Sequence, residues 1–139
     1  MAKIENNISN TKKVMVVDDE ADVISVLEIV LEENGFQVDA FVDPIVALKS
    51  YRAGVYDLLI LDIKMPKMDG FELYDEIKKI DDNAKVCFLT ASEMYYKNSR
   101  KEKYCSLDKD LFIQKPIANE DLVEGINKIL SRDEVIQTG

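Results

Sequence analysis

Short apolar runs and longer amphipathic stretches alternate along the chain. Val14-Met15-Val16-Val17, Leu58-Leu59-Ile60-Leu61 and Val86-Cys87-Phe88-Leu89 are unbroken apolar runs of strand length. Leu111-Phe112-Ile113 is a shorter one, and Phe36 to Phe41 alternates as an edge strand does. Between these runs, apolar residues recur at helical spacing. Val23, Val26, Leu27, Val30 and Leu31 mark a helix from Ala21 to Asn34, which Gly35 stops. Asp43-Pro44 is an N-cap with proline in the first turn, and Ile45, Leu48 and Tyr51 or Arg52 carry a second helix to Gly54. Phe71, Leu73 or Tyr74, Ile77 and Ile80 mark a third helix. Residues 91–109 are polar with three tyrosines and hold the place of a fourth. Leu122, Val123, Ile126, Ile129 and Leu130 share one face of a last helix from Asn119 to Leu130.

Unbroken apolar strands are those covered on both faces. Strand and helix in strict alternation call for parallel strands joined by right-handed crossovers. The expected fold is therefore a three-layer α/β/α sandwich around a five-stranded parallel sheet. At 139 residues the chain suits one domain. That domain is expected over 13–131, between polar tails at 1–12 and 132–139.

In an open parallel sheet, chemistry collects at the carboxyl ends of the strands. Here the strand ends carry Asp18-Asp19, Asp62, Thr90 and Lys115, while Asp43 beyond the second strand is assigned to capping. Three neighbouring carboxylates repel one another, and a hard divalent cation such as Mg²⁺ removes the conflict. A cation, an ammonium and a hydroxyl around a carboxylate are the parts that hold a phosphoryl group. Aspartate itself can be the nucleophile, giving an aspartyl phosphate.

Composition narrows the choice by exclusion. With no histidine, the chain holds no Ser-His-Asp or Cys-His catalytic set and cannot itself be a histidine kinase or histidine phosphotransfer protein. Its 27 acidic and 18 basic residues leave a net charge of −9, which opposes direct nucleic-acid binding and favours cationic partners. No apolar run approaches the length of a membrane span, so no membrane insertion is expected. Cys87 and Cys105 form no spaced motif and read as reduced thiols of a cytoplasmic protein, with a disulfide between them as the alternative. Val17-Asp18-Asp19-Glu20-Ala21-Asp22 contains the letters of a DEAD-box motif, but no P-loop or GxGxxG accompanies it.

The ordered set Asp18-Asp19, Asp62, Thr90-Ala91 and Lys115-Pro116 resembles the receiver domain of two-component response regulators, and is similar to the single-domain chemotaxis type. Asp18 to Asp62, Asp62 to Thr90 and Thr90 to Lys115 are 44, 28 and 25 residues apart, as in that family. Asp62-Ile63-Lys64-Met65-Pro66-Lys67-Met68-Asp69-Gly70 is close to its D-x-x-M-P-x-M-D-G stretch. The resemblance covers about residues 13–131 and implies the flavodoxin-like, doubly wound (βα)5 fold.

It also implies roles. Asp62 would be the phosphoacceptor. Asp19, Asp62 and the backbone carbonyl of Lys64 would hold Mg²⁺ or Mn²⁺ directly, and Asp18 through a bound water. Thr90 would hydrogen-bond the phosphoryl group and Lys115 would pair with its oxygen, aimed by a cis peptide between Lys115 and Pro116. Phe112 occupies the place of the switch aromatic, which turns inward as Thr90 moves. The donor would be the phosphohistidine of a sensor histidine kinase or phosphotransfer protein. The readout, to a downstream protein or an output domain, would use the face of the fourth helix, fifth strand and fifth helix. Such a protein is a signalling switch that catalyses its own phosphorylation and is not classed as an enzyme. Eight residues follow Ser131, too few for an output domain within this sequence, which leaves a stand-alone receiver or a piece of a longer protein.

Plainer readings stand beside these. Asp18-Asp19 can cap the first helix, Asp62 can be a turn residue, Thr90 an N-cap and Lys115 a solvated lysine. Phe112 is equally a partly buried aromatic. Tyr95, Tyr96 and Tyr104 suit a partner surface or the core, and Asp69-Gly70 suits the shaping of the loop and the helix start. Lys64 and Ser92 sit where the family varies, and Ala118 leaves Asn119 to cap the last helix. Two rival functions remain: a receiver-like scaffold that is never phosphorylated, and an aspartate-nucleophile phosphatase of the haloacid dehalogenase type. The latter needs D-x-D, and Asp62-Ile63-Lys64 lacks the second aspartate.

Overall fold

The computed structural model describes residues 11–91, 111–115 and 119–138. The expected fourth helix, Ser92, Cys105, the three tyrosines of that segment, Pro116, Ala118 and most of the first tail lie outside the described residues.

Five strands form one sheet: β1 (Lys13–Val17), β2 (Gln37–Phe41), β3 (Leu58–Asp62), β4 (Val86–Thr90) and β5 (Phe112–Gln114). Every neighbouring pair is parallel and the order is β2-β1-β3-β4-β5. The described helices are α1 (Ala21–Glu33), α2 (Pro44–Ser50), α3 (Gly70–Ile80) and α4 (Asn119–Thr138). β2 stands at an edge of the sheet, as its alternating sequence implies.

The pleat explains why the central strands read as continuous apolar runs. Successive side chains point to opposite faces. Val14, Val16, Leu58, Ile60, Cys87 and Leu89 pack with Leu27 and Leu31 of α1 and Leu122 and Ile126 of α4. Met15, Val17, Leu59, Leu61 and Phe88 pack on the other face with Ala47 of α2 and Phe71, Leu73 and Ile77 of α3. Two apolar layers thus clamp one sheet, and the three-layer expectation holds.

Two element ends differ from the sequence reading. α2 stops at Ser50 rather than running to Gly54, because Tyr51 turns to extended backbone (φ −67°, ψ 138°). Its ring enters the core, and its hydroxyl donates to Asp81 Oδ2 at 2.7 Å. Gly54 then serves the following turn, at φ +80°. The last helix continues past Leu130 to Thr138, so helical backbone takes up nearly all of the expected 132–139 tail. Arg132-Asp133-Glu134-Val135-Ile136-Gln137-Thr138 contains no glycine or proline to end it.

Local chemistry sets the helix starts beside the strand ends. The Asp43 side chain accepts from the Ile45 N–H at 2.8 Å, with Pro44 in the first turn. Asp69 and Glu72 form a reciprocal capping box at the start of α3, at 2.8 and 2.9 Å.

Candidate functional site at the carboxyl edge of the sheet

Register brings the strand ends level. Val17 pairs with Leu61, so the next residues, Asp18 and Asp62, emerge side by side. Asp62 pairs with Leu89, placing Thr90 one step further. Thr90 pairs with Gln114, and the Lys115 N–H donates to the Thr90 carbonyl at 2.7 Å. The strand order reverses between β1 and β3, so this edge is the topological switch point.

Among the described residues, tyrosine aside, the buried polar side chains are Asp18, Asp62 and Thr90. Buried charge is costly without partners, so this concentration at one edge marks a site rather than a core. Carboxylate oxygens of Asp18, Asp19 and Asp62 lie within 4.8 Å of one another. Asp18 Oδ1 accepts from the Glu20 N–H at 2.8 Å. Its Oδ2 forms an ion pair with Lys115 Nζ at 2.7 Å. Lys115 Nζ also lies 3.3 Å from Asp62 Oδ1 and 2.9 Å from Glu20 Oε1. Asp19, Glu20, Asp62 and Lys115 open on a cavity of about 530 Å³, which Lys64 and Ala91 also line, while Asp18 lies buried behind it.

The electrostatics follow from burial. Burial pushes the Asp62 carboxyl up to about 7; the neighbouring Asp18 charge adds to the rise and Lys115 opposes it. Burial also raises Asp18, against the pull of Lys115. At Lys115, burial works against the charge, but Asp18, Glu20 and Asp62 outweigh it and hold the ammonium well above the ordinary lysine range. One ammonium does not neutralise this set of carboxylates. Clustered carboxylate oxygens fit a hard divalent cation of the Mg²⁺ class.

Asp18, Asp19, Asp62, Thr90 and Lys115 therefore converge as the sequence implies, and Lys64 borders the cavity. Phe112 is half-buried and leans on the core, stacked on Phe88 at 5.4 Å and edge-on to Phe71 at 6.2 Å. Cys87 is remote in character: burial pushes its thiol up to about 12, as expected of a core residue.

Two participants escaped the sequence reading. Glu20 holds Lys115 from the first strand end. The third consecutive acidic residue after Asp18-Asp19 was the available signal. Gly70 packs its backbone against the carbonyl of Asp62, its N–H donating to the Ile63 carbonyl at 2.8 Å. The Asp69-Gly70 pair pointed to the shape of the loop and the helix start, not to this contact.

The sequence matches the response regulator receiver domain over residues 14–127. The chain belongs to that family: it is a response regulator receiver, a signalling switch built on the flavodoxin-like fold. It is 33% identical over 122 residues to the transcriptional regulatory protein PrrA of Mycobacterium bovis, covering 86% of this chain and 50% of that protein. It is 30% identical over 124 residues to the alkaline phosphatase synthesis transcriptional regulatory protein PhoP of Bacillus subtilis, covering 89% and 50%. The chain thus spans about half the length of these curated relatives. Among solved structures, response regulator TrrA of Thermotoga maritima, in complex with Mg²⁺-BeF, is 33% identical with a TM-score of 0.71, over 86% of this chain and 99% of that one. A receiver domain from Clostridium thermocellum is 26% identical with a TM-score of 0.73, over 90% and 98%. No helix among the described residues is long and apolar enough to cross a membrane.

Proposed function

We propose that Asp62 accepts a phosphoryl group from the phosphohistidine of a sensor kinase or phosphotransfer protein. The observation that carries this reading is the clustering of Asp18, Asp19 and Asp62 within 4.8 Å beside the Lys115 ammonium. An Asp62 carboxylate oxygen attacks phosphorus while the donor's N–P bond breaks, and the imidazole leaves with the electron pair. Lys115 and the Thr90 hydroxyl receive the phosphoryl oxygens and spread their charge. Asp19, Asp62, the Lys64 carbonyl and, through a water, Asp18 would hold Mg²⁺ or Mn²⁺, which would neutralise part of that charge.

Thr90 and Lys115 lie on neighbouring strand ends, so a phosphoryl group that draws them in biases a two-state equilibrium. Phe112 follows on β5 and is the aromatic that reports the change to the surface. The readout face is β5 with the last helix. A partner protein or an additional domain supplies the output, in keeping with the transcriptional regulators that this chain half covers. The receiver supplies much of the catalysis of its own phosphorylation without turning over a separate substrate, and works in the cytoplasm, where such kinases present their phosphohistidine.

Neither rival reading gains an observation. The acidic pair follows β1, and Lys64 stands where the phosphatase type needs its second aspartate. Acetyl phosphate with Mg²⁺, read by intact mass, tests the proposal. One phosphate adduct is expected on the wild-type protein and none on Asp62→Asn. An unmodified wild-type protein, or an adduct that persists in the variant, overturns it.

A further inference from the structure

Lys115 is crowded in an informative way. An ammonium has three N–H donors. Three carboxylates crowd it here: Glu20 accepts a hydrogen bond at 2.9 Å, and Asp18 and Asp62 pair with it at 2.7 and 3.3 Å. The ammonium itself is nearly enclosed, with the Lys115 side chain 10% exposed. A phosphoryl oxygen that pairs with it must therefore displace a carboxylate.

Exposure decides which one leaves. Asp18 is fully buried, and without Lys115 its charge would stand uncompensated in the protein interior. Asp62 is also buried, and it bears the incoming group. Glu20 is 59% exposed, so its carboxylate returns to water at little cost. Releasing it also leaves α1 intact. Glu20 is the N-cap of that helix, yet its side chain makes no capping hydrogen bond. Its backbone does the local work: its carbonyl accepts from Val23 and Ile24, and its N–H donates to Asp18 Oδ1.

We propose that Glu20 is the exchangeable partner of Lys115, a positioning residue that holds the ammonium in the unphosphorylated protein and surrenders it to the phosphoryl group. The inference rests on Asp62 being the phosphoacceptor. Glu20 then sets part of the cost of switching on. Its charge also faces the cavity that an anionic donor must enter, so both effects act in the same direction.

The test compares the wild-type chain with Glu20→Gln, which keeps the side-chain length and removes the charge. Glu20→Ala serves as a second variant should Gln pair with Lys115 through its amide. The first probe is beryllium fluoride with Mg²⁺, a phosphoryl mimic, titrated by NMR. The second is the rate of phosphorylation by acetyl phosphate, in which the Asp62 O–P bond forms as acetate leaves with the electron pair of its P–O bond.

Glu20→Gln is expected to bind the mimic and to phosphorylate about two- to fivefold better, the range expected of one half-exposed ion pair. The advantage shrinks in high salt, because screening weakens exposed charge interactions. Half-saturation by Mg²⁺ alone stays within about twofold, since Glu20 is assigned to the lysine and not to the metal. Equal or weaker mimic binding, a salt-independent difference, or a marked loss of Mg²⁺ affinity overturns the proposal. If the wild-type protein takes no phosphate on Asp62, the phosphoacceptor reading fails instead, and the mimic titration still reads the exchange at Lys115.

Discussion

Gly70 touches the carbonyl group of Asp62: a Cβ at position 70 would collide with the carbonyl oxygen and stand 3.0 Å from the carbonyl carbon. The first residue of α3 is thus seated directly on the end of β3. The contact is backbone to backbone, so no flexible side chain can yield to relieve it.

Gly70→Ala is expected to destabilise the protein by about 2 kcal/mol through overpacking. Because the displaced group is the Asp62 backbone, Mg²⁺ binding weakens along with folding. Urea unfolding with and without Mg²⁺ checks both. A variant as stable as wild type with unchanged Mg²⁺ affinity would show that the end of β3 moves freely.

Asp62→Asn removes a negative charge from a buried site that already contains Asp18. Without added metal the variant is expected to melt higher, by an amount of order 1–3 kcal/mol. Wild type is expected to gain stability from Mg²⁺ by mass action, about 4.1 kcal/mol at 1,000 times its Kd, and the variant far less. Thermal melts across a Mg²⁺ series should cross: the variant leads at zero metal and trails at saturation.

Lys67 has a left-handed backbone, φ 74°, which costs a side chain but not glycine. Its ammonium also pairs with Asp43 at 2.9 Å, and the exposed pair contributes little. Lys67→Ala and Lys67→Gly both lose the pair, so their difference isolates the backbone. The alanine variant should be the less stable by about 1 kcal/mol in denaturant melts.

The Tyr51 hydroxyl donates to Asp81 Oδ2 and holds that carboxyl below its ordinary range. A lowered folded value means stability that is present above the unfolded carboxylate value, near pH 4, and is lost as the pH falls through the folded one. Tyr51→Phe is therefore expected to be less stable than wild type at neutral pH, with the gap narrowing below pH 4. Melting temperatures of the two proteins from pH 2.5 to 7 measure it. A gap that stays constant from pH 2.5 to 7 would assign the effect to packing and not to the Asp81 carboxylate.

Much of this protein was legible in its local patterns. The apolar runs at Val14–Val17, Leu58–Leu61 and Val86–Leu89 announce strands buried on both faces, because burial on both faces removes alternation. The polar residues that end those runs named the chemistry before any distance was known, since a parallel sheet gathers its strand ends at one edge. Asp43 and Asp69 declared their caps for an equally local reason: the bonded groups are two or three residues away.

Tertiary structure decided what depends on partners distant in sequence. Glu20 and Lys115 are 95 residues apart, and nothing near Glu20 reveals that its side chain forgoes capping to hold an ammonium. Tyr51 ends α2 early because the core and Asp81 offer its ring and hydroxyl a better place than another helical turn. Gly70 is required because β3 and α3 meet backbone to backbone, a distance set by the packing of a whole layer. The sequence by itself determined which groups reach the edge of the sheet. Only the fold decided which are buried, which ammonium they share and which carboxylate is free to let it go, because burial and pairing are properties of neighbours in space.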